Sequence, residues 1–173
     1  MGFKERLHIA HNARNLTSCA HQTTHIDLVA ASGIAERNHK IGATAFRTLE
    51  DERYAPKLFA LASKAIMGRA RSQHWHIRKR EDLEVFTIAV GRYWLKPYCR
   101  HCEGRGVHVE GQIAKDICPV CVGTGRRELP TPAEAGLAGL VDERRFQRYV
   151  REALLCLDAH ITGYLGNARR ALG

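Results

Sequence analysis

The sequence predicts a mainly α-helical protein that carries a small β-hairpin module stapled by four cysteines and closes on a C-terminal helix-turn-helix. Three observations predict it. Apolar residues recur at helical spacing over 56–67, 81–96 and 142–161. Cysteines come as two Cys-x2-Cys pairs separated by fifteen residues. The run PTPAEAGLAGLVDERRF sets a helix-start signal, a glycine turn and a second start in close order.

The totals bound the answer. A chain of 173 residues suffices for one domain with a real core, or for a small core with one extra module. Hydrophobic residues at 45% and charged residues at 26% describe a folded chain rather than a disordered one. Lys plus Arg number 27 against 18 Asp plus Glu, a formal charge of +9. Most of the positive charge is arginine, whose planar fork suits phosphate and guanine, so a polyanionic partner is favoured over charge that serves solubility alone. No apolar run reaches the ~18 residues of a membrane-spanning helix. The N-terminal MGFKERLHIAHN has neither a long apolar stretch nor a cleavage site, so the expected location is the cytosol, with no membrane partner. In that reducing compartment close cysteine pairs point to metal over disulfides, while Cys19 and Cys156, standing alone, read as packing residues.

The elements follow in order. Over residues 1–45 the apolar positions Leu7, Ile9, Leu16, Ile26, Leu28, Val29 and Ile34 keep no long period, and helical pieces there have no sharp ends. His8, His11, His21, His25 and His39 lie among them without a cysteine or carboxylate cluster, which favours solvated or packed histidines over ligands. The spacing of Leu58, Leu61, Ala62, Ala65 and Ile66 predicts a helix over 56–67, with Pro56 in its first turn and Gly68 as its C-terminal cap. The basic loop GRARSQHWHIRKRED surrounds Trp75 with Arg69, Arg71, Arg78, Lys79 and Arg80; it suits either a nucleic-acid contact or a core tryptophan beside a solvated charge run. A second helix is predicted over 81–96, with Leu83, Phe86, Val90, Tyr93 and Trp94 on one stripe and Pro97 as its stop.

Cys99, Cys102, Cys118 and Cys121 have the spacing of a four-thiolate zinc site. Each belongs to a Cys-x-x-Cys-x-Gly-x-Gly unit, CRHCEGRG and CPVCVGTG, in which the glycines let the chain double back after a tight two-ligand turn. Four protein ligands leave no open position, so the expected ion is structural, one zinc per chain, and not a hydrolytic centre. Four thiolates on a divalent ion carry a formal charge of about −2, which Arg100, Arg105, Lys115, Arg126 and Arg127 stand near in sequence to offset. Between the pairs, Val107, Val109, Ile113 and Ile117 predict two short strands turning at Glu110 and Gly111.

After LPTP the pattern predicts a short helix over 131–137 capped by Thr131, a turn at Gly139, and a long helix starting near Asp142. Phe146, Val150, Ala153, Leu154, Leu157 and Ile161 share one arc of the long helix, and Leu155 breaks it. Arg144, Arg145, Arg148 and Arg151, with Gln147, lie at its N-terminal end, where a recognition helix meets the major groove; a solvated face of a core helix reads almost as well. Arg126 and Arg127 join them as candidate DNA contacts. The regions are therefore 1–96, helical; 97–128, the zinc module; and 129–173, the helix-turn-helix, the last two forming one compact unit.

The order FTIAVGRYWLKPYC, CRHCEGRG, CPVCVGTGRRELPTPAEAG and RRFQRYVREALLCLDAHI resembles the lambda-type phage late-gene antitermination proteins, the Q family, over roughly residues 83–173. The cysteine repeat by itself is also similar to the cysteine-rich region of J-domain co-chaperones, but here it has two copies rather than that family's four, and no His-Pro-Asp motif. The resemblance implies a factor that binds double-stranded DNA at a late promoter and engages bacterial RNA polymerase, which then reads through pauses and terminators in the host cytoplasm. Two alternatives stay beside it: a zinc-stapled RNA-binding or processing protein, and a plain DNA-binding transcription regulator. An enzyme would need clustered acids, an activated nucleophile or a phosphate loop, and the sequence offers none. No pattern specifies an oligomeric state.

Overall fold

The computed structural model describes residues 25–110 and 113–171. Cys19, His8, His11, His21, Leu7, Ile9, Leu16 and Gly111 lie outside the described residues. Among those described, the elements are α1 (His25–Asn38), α2 (Lys40–Glu50), a 3-10 turn (Glu52–Tyr54), α3 (Ala55–Ser72), α4 (Arg80–Leu95), β1 (Val107–Glu110), β2 (Ile113–Ile117) and α5 (Glu143–Arg170). The two strands form one antiparallel sheet, so the fold is mainly helical with a small hairpin. No helix among the described residues is long and apolar enough to cross a membrane.

The chain divides into two compact units, Met1–His74 with Ala153–Gly173, and Trp75–Glu152. The sequence region 97–128 lies wholly within the second.

In the first unit Ala35, Ala43, Phe46, Tyr164 and Ala168 form a buried cluster flanked by Ile161 and Leu165. The Phe46 and Tyr164 rings sit 5.5 Å apart. The Tyr164 hydroxyl, buried with its ring, hydrogen-bonds the Ser32 hydroxyl, which spares both groups the cost of unpaired burial. Glu36 takes both arms of Arg47, one at 2.9 Å, tying α1 to α2. Helix α3 starts as predicted, with a proline in its first turn. It does not stop at Gly68. The helix runs on to Ser72, burying Leu58, Ala62, Ile66 and Ala70 at regular four-residue steps, and ends where the Gln73 N–H bonds the Arg69 carbonyl. A glycine in a solvent-facing turn weakens a helix by only about 1 kcal/mol, which the burial of Ala70 largely offsets, so it does not by itself end the helix.

The second unit is built on α4, which buries Leu83, Phe86, Val90 and Tyr93 and ends at Leu95, two residues before Pro97. Trp75 belongs to this core, 6% exposed. Its ring stacks on Tyr149 and meets Phe86 edge-on, and Phe86 in turn meets Phe146. Of its two sequence readings, core packing is the one the structure shows.

The segment 131–137 is not a helix but a single capped turn. The Thr131 N–H donates to Glu134 Oε2 at 2.8 Å and the Glu134 N–H donates back to Thr131 Oγ1 at 3.2 Å, a complete capping box. One turn later Gly136 takes φ +66° and the Leu137 N–H reaches back to the Pro132 carbonyl, so the start signal is obeyed and then cancelled. Leu137 and Ala135 are nevertheless buried. The long helix forms as expected, with Asp142 Oδ1 accepting from the Arg145 N–H at 2.9 Å as its cap. Leu155, off the apolar arc, is 67% exposed.

Candidate metal centre

Pro97 ends α4 and the chain enters the first cysteine pair at once. A short ladder closes the base of the module: the Arg127 N–H bonds the Pro97 carbonyl at 3.0 Å, Tyr98 bridges Arg126, and the Cys99 N–H bonds the Gly125 carbonyl at 2.9 Å. The hairpin closes the other side, where the Cys118 N–H bonds the Gly106 carbonyl at 2.8 Å. Each cysteine pair is thus pinned to the opposite half of the module.

The two halves repeat one backbone conformation. Glu103 and Val122 take φ +52° and +48°, Gly104 and Gly123 +85° and +82°, and Gly106 and Gly125 +77° and +68°. In each half the last glycine donates its N–H to the second cysteine: Gly106 to Cys102 Sγ at 3.2 Å, Gly125 to Cys121 Sγ at 3.3 Å. The glycines are required twice over. A Cβ on Gly106 would lie 2.4 Å from the Gly123 carbonyl oxygen, and one on Gly125 would lie 2.3 Å from that of Gly104. The halves cross backbone against backbone, and only residues without a side chain fit there.

This crossing gathers the four sulfurs. Cys99, Cys102, Cys118 and Cys121 are all buried and form a cluster of their own, with every Sγ within 4.8 Å of the others. Cys99 and Cys118 sulfurs stand 4.0 Å apart, Cys102 and Cys121 sulfurs 3.6 Å apart. A tetrahedral ion with metal–sulfur bonds of ~2.3 Å needs sulfurs about 3.8 Å apart, whereas a disulfide needs ~2.05 Å. The separations fit the ion. Without one, the thiols divide unequally: burial pushes Cys102 up to about 11, while at Cys121 burial is outweighed by the Gly125 N–H and the neighbouring thiols, which bring it down to about 7. A bound cation removes the conflict by holding all four as thiolates. The four residues named from sequence are therefore brought together as a site that can hold a metal ion.

A second group of ligand atoms, not anticipated from sequence, adjoins the first. His101, exposed, and His108, half-buried, bring one nitrogen each within 4.8 Å of one another and of the Cys118 sulfur. Their rings meet edge to face, centroids 4.7 Å apart. The pairing depends on how the first cysteine turn folds back toward β1, which only the folded chain displays.

Compared with family models, with curated proteins and with solved structures, the chain has no match.

The candidate DNA contacts stand as follows. Arg144, Arg145, Arg148 and Arg151 are exposed on the first turns of α5. At 100° per residue, Arg144, Arg148 and Arg151 fall within about 60° of one another, a single stripe opposite the buried Phe146, Tyr149 and Val150. Arg145 pairs with Asp142 at 3.2 Å, and Arg148 reaches Glu152 at 3.8 Å. Among the described residues neither Arg144 nor Arg151 has a carboxylate partner. The Gln147 amide nitrogen is held by the Pro130 carbonyl at 3.1 Å and by Glu143 at 2.8 Å. Arg126 is exposed, while Arg127 is half-buried with its guanidinium 5.7 Å from the Tyr93 ring centre. The five arginines other than Arg127 thus face solvent.

Proposed function

We propose that the protein is a phage transcription factor that docks the N-terminal turns of α5 on double-stranded DNA at a late promoter and modifies bacterial RNA polymerase to read through pauses and terminators. In this reading it is not an enzyme. The four-cysteine centre holds one structural zinc, whose binding free energy folds the module. The capped turn over 131–137 takes the place of the first helix of a helix-turn-helix, and the protein acts in the cytoplasm of the bacterial host.

The observation that carries the DNA part is the Arg144–Arg148–Arg151 stripe, solvent-facing on a helix whose opposite face is anchored by buried aromatics. A rigid helix with arginines at its N-terminal end suits the major groove, where Arg pairs with guanine. The antitermination part rests on the Q-family resemblance. The test is in-vitro transcription through a terminator downstream of the late promoter. Readthrough with the intact protein, and none with Arg144→Ala, supports the proposal. Promoter binding with unchanged termination reduces it to a plain DNA-binding regulator.

One observation favours the RNA-binding alternative. Tyr98 is an aromatic 64% exposed, in a bridge with Arg126 and next to the exposed Arg100, a grouping on which an unpaired base can stack. Tyr98→Ala should then abolish binding to single-stranded RNA and spare binding to duplex DNA.

A further inference from the structure

We propose that the cysteine module binds a second divalent metal ion, held by the imidazoles of His101 and His108 with the Cys118 thiolate bridging to the ion of the four-cysteine centre. The proposal rests on that centre being filled.

Geometry is the first support. The three ligand atoms converge within 4.8 Å of one another, close enough for one ion to draw them in by small rotamer changes. The backbone contributes as well. The strands slip register between His108 and Val109, a bulge that places Lys115 opposite no partner and re-aims the residues beside it. His108 borders that slip, and its ring meets that of His101, in the first cysteine turn, edge to face.

Charge is the second. Four thiolates on one divalent ion leave a formal charge of about −2 at a buried site. Arg105, one of the arginines beside the site in sequence, spends its guanidinium on the Cys102 carbonyl at 3.2 Å and on Glu103 at 2.9 Å. A second divalent ion with neutral imidazoles brings the total to zero, and a thiolate that already binds one ion keeps lone pairs for another.

The ligand set then selects the ion. Two imidazoles and a thiolate suit zinc, cobalt, nickel or copper and reject magnesium and calcium. Three protein ligands leave the fourth position open to water, and His101 is exposed, so this ion exchanges with solvent while the inner one does not. The site would thus be the weaker and the more readily removed of the two.

The experiment is titration of the metal-free full chain with cobalt(II), read by the visible ligand-field and thiolate charge-transfer bands, with zinc content by elemental analysis in parallel. The wild type should take up about two ions per chain, the first with a tetrathiolate spectrum and the second with a distinct shift of the thiolate bands. His101→Asn and His108→Asn should each stop at about one ion, with the tetrathiolate spectrum unchanged and, when each protein holds one ion per chain, the thermal midpoint of the wild type. His101 is exposed and His108 half-buried, and an unchanged tetrathiolate spectrum shows that each variant still folds around the inner ion. Saturation of the wild type at one ion, or two ions retained in both variants, overturns the second site and leaves the first intact. No tetrathiolate spectrum at all overturns both.

Discussion

The indole of Trp75 lies face to face with the ring of Tyr149, centroids 4.6 Å apart and planes 15° from parallel. Trp75 also donates its Nε1–H to Glu152 at 2.8 Å, and the Tyr149 hydroxyl accepts from the His76 N–H at 3.1 Å. The stack holds the entry to α4 against the first turns of α5. Trp75→Ala should destabilise this unit by about 3–5 kcal/mol in denaturant unfolding, and Tyr149→Phe by about 1 kcal/mol. Trp75→Phe should leave nucleic-acid affinity unchanged, since the indole does not reach solvent.

The metal centre predicts its own stoichiometry and pH response. Protein purified without added metal and dialysed against a weak chelator should keep about one zinc per chain, and Cys102→Ser or Cys118→Ser should lose it together with the hairpin's circular dichroism. Protons compete with the metal for sulfur, so affinity rises with pH. With burial holding the metal-free Cys102 up at about 11, uptake at neutral pH must release protons, and zinc retention must fall as pH drops. Proton release measured in weakly buffered solution checks the first; zinc loss against pH checks the second.

Two glycine substitutions should act in opposite directions. Gly106→Ala puts a methyl into the Gly123 carbonyl at a left-handed residue, and should abolish tight metal binding. Gly68→Ala meets nothing within 4 Å inside α3, and should raise stability by about 0.4–1 kcal/mol. Thermal melts of the two variants decide both.

Duplex binding by α5 should weaken steeply with salt, with Arg144→Ala, Arg148→Ala and Arg151→Ala each lowering the preference for cognate over random DNA. Lys115→Ala should do less. Gln147→Ala should cost mainly stability, because its amide already serves Pro130 and Glu143. Equal losses on specific and random DNA for all three arginines would falsify base recognition by this helix. Mobility shifts over a salt series supply the numbers.

A histidine in the first unit sets an acid limit. Burial, then the nearby His39, holds His160 below its ordinary pKa. The folded state therefore binds the proton less readily than the unfolded chain, and this group's contribution is complete above pH ~6.5 and lost as pH falls through the folded value. Unfolding midpoints should drop between neutral pH and about pH 5, and His160→Gln should flatten that slope.

What could be read in advance follows from how local each signal is. The helices over 56–67 and 81–96 and the four cysteines depend on spacing within one segment, and they appear where expected. Gly68 was ambiguous because a glycine after an apolar run reads the same as a cap or as an interior position; the outcome turns on Ala70, one further turn along. The 131–137 segment carries a valid start signal, and only Gly136 in the left-handed region decides that it stops after one turn. Tyr149 escaped the apolar arc because, at 100° per residue, it falls about 40° beyond its edge, and only the folded chain shows the ring buried with its hydroxyl satisfied by a backbone donor. The His101–His108 pair needs the fold-back of the first cysteine turn toward β1, which spacing alone does not show.

The two crossed cysteine units separate what holds the metal from what meets the surroundings. The four cysteines, with Gly106 and Gly125, occupy the buried positions of the two units, leaving the intervening positions unconstrained by the sulfurs. The first unit fills them with Arg100, His101, Glu103 and Arg105; the second uses Pro119, Val120, Val122 and Thr124, with Val120 60% and Val122 77% exposed. One unit is consequently ionic and the other oily, though both are printed from the same eight-residue stencil. A chain in which CPVCVGTG is rewritten as a second CRHCEGRG should still close around its ion, but it would present the same charged lettering in both units.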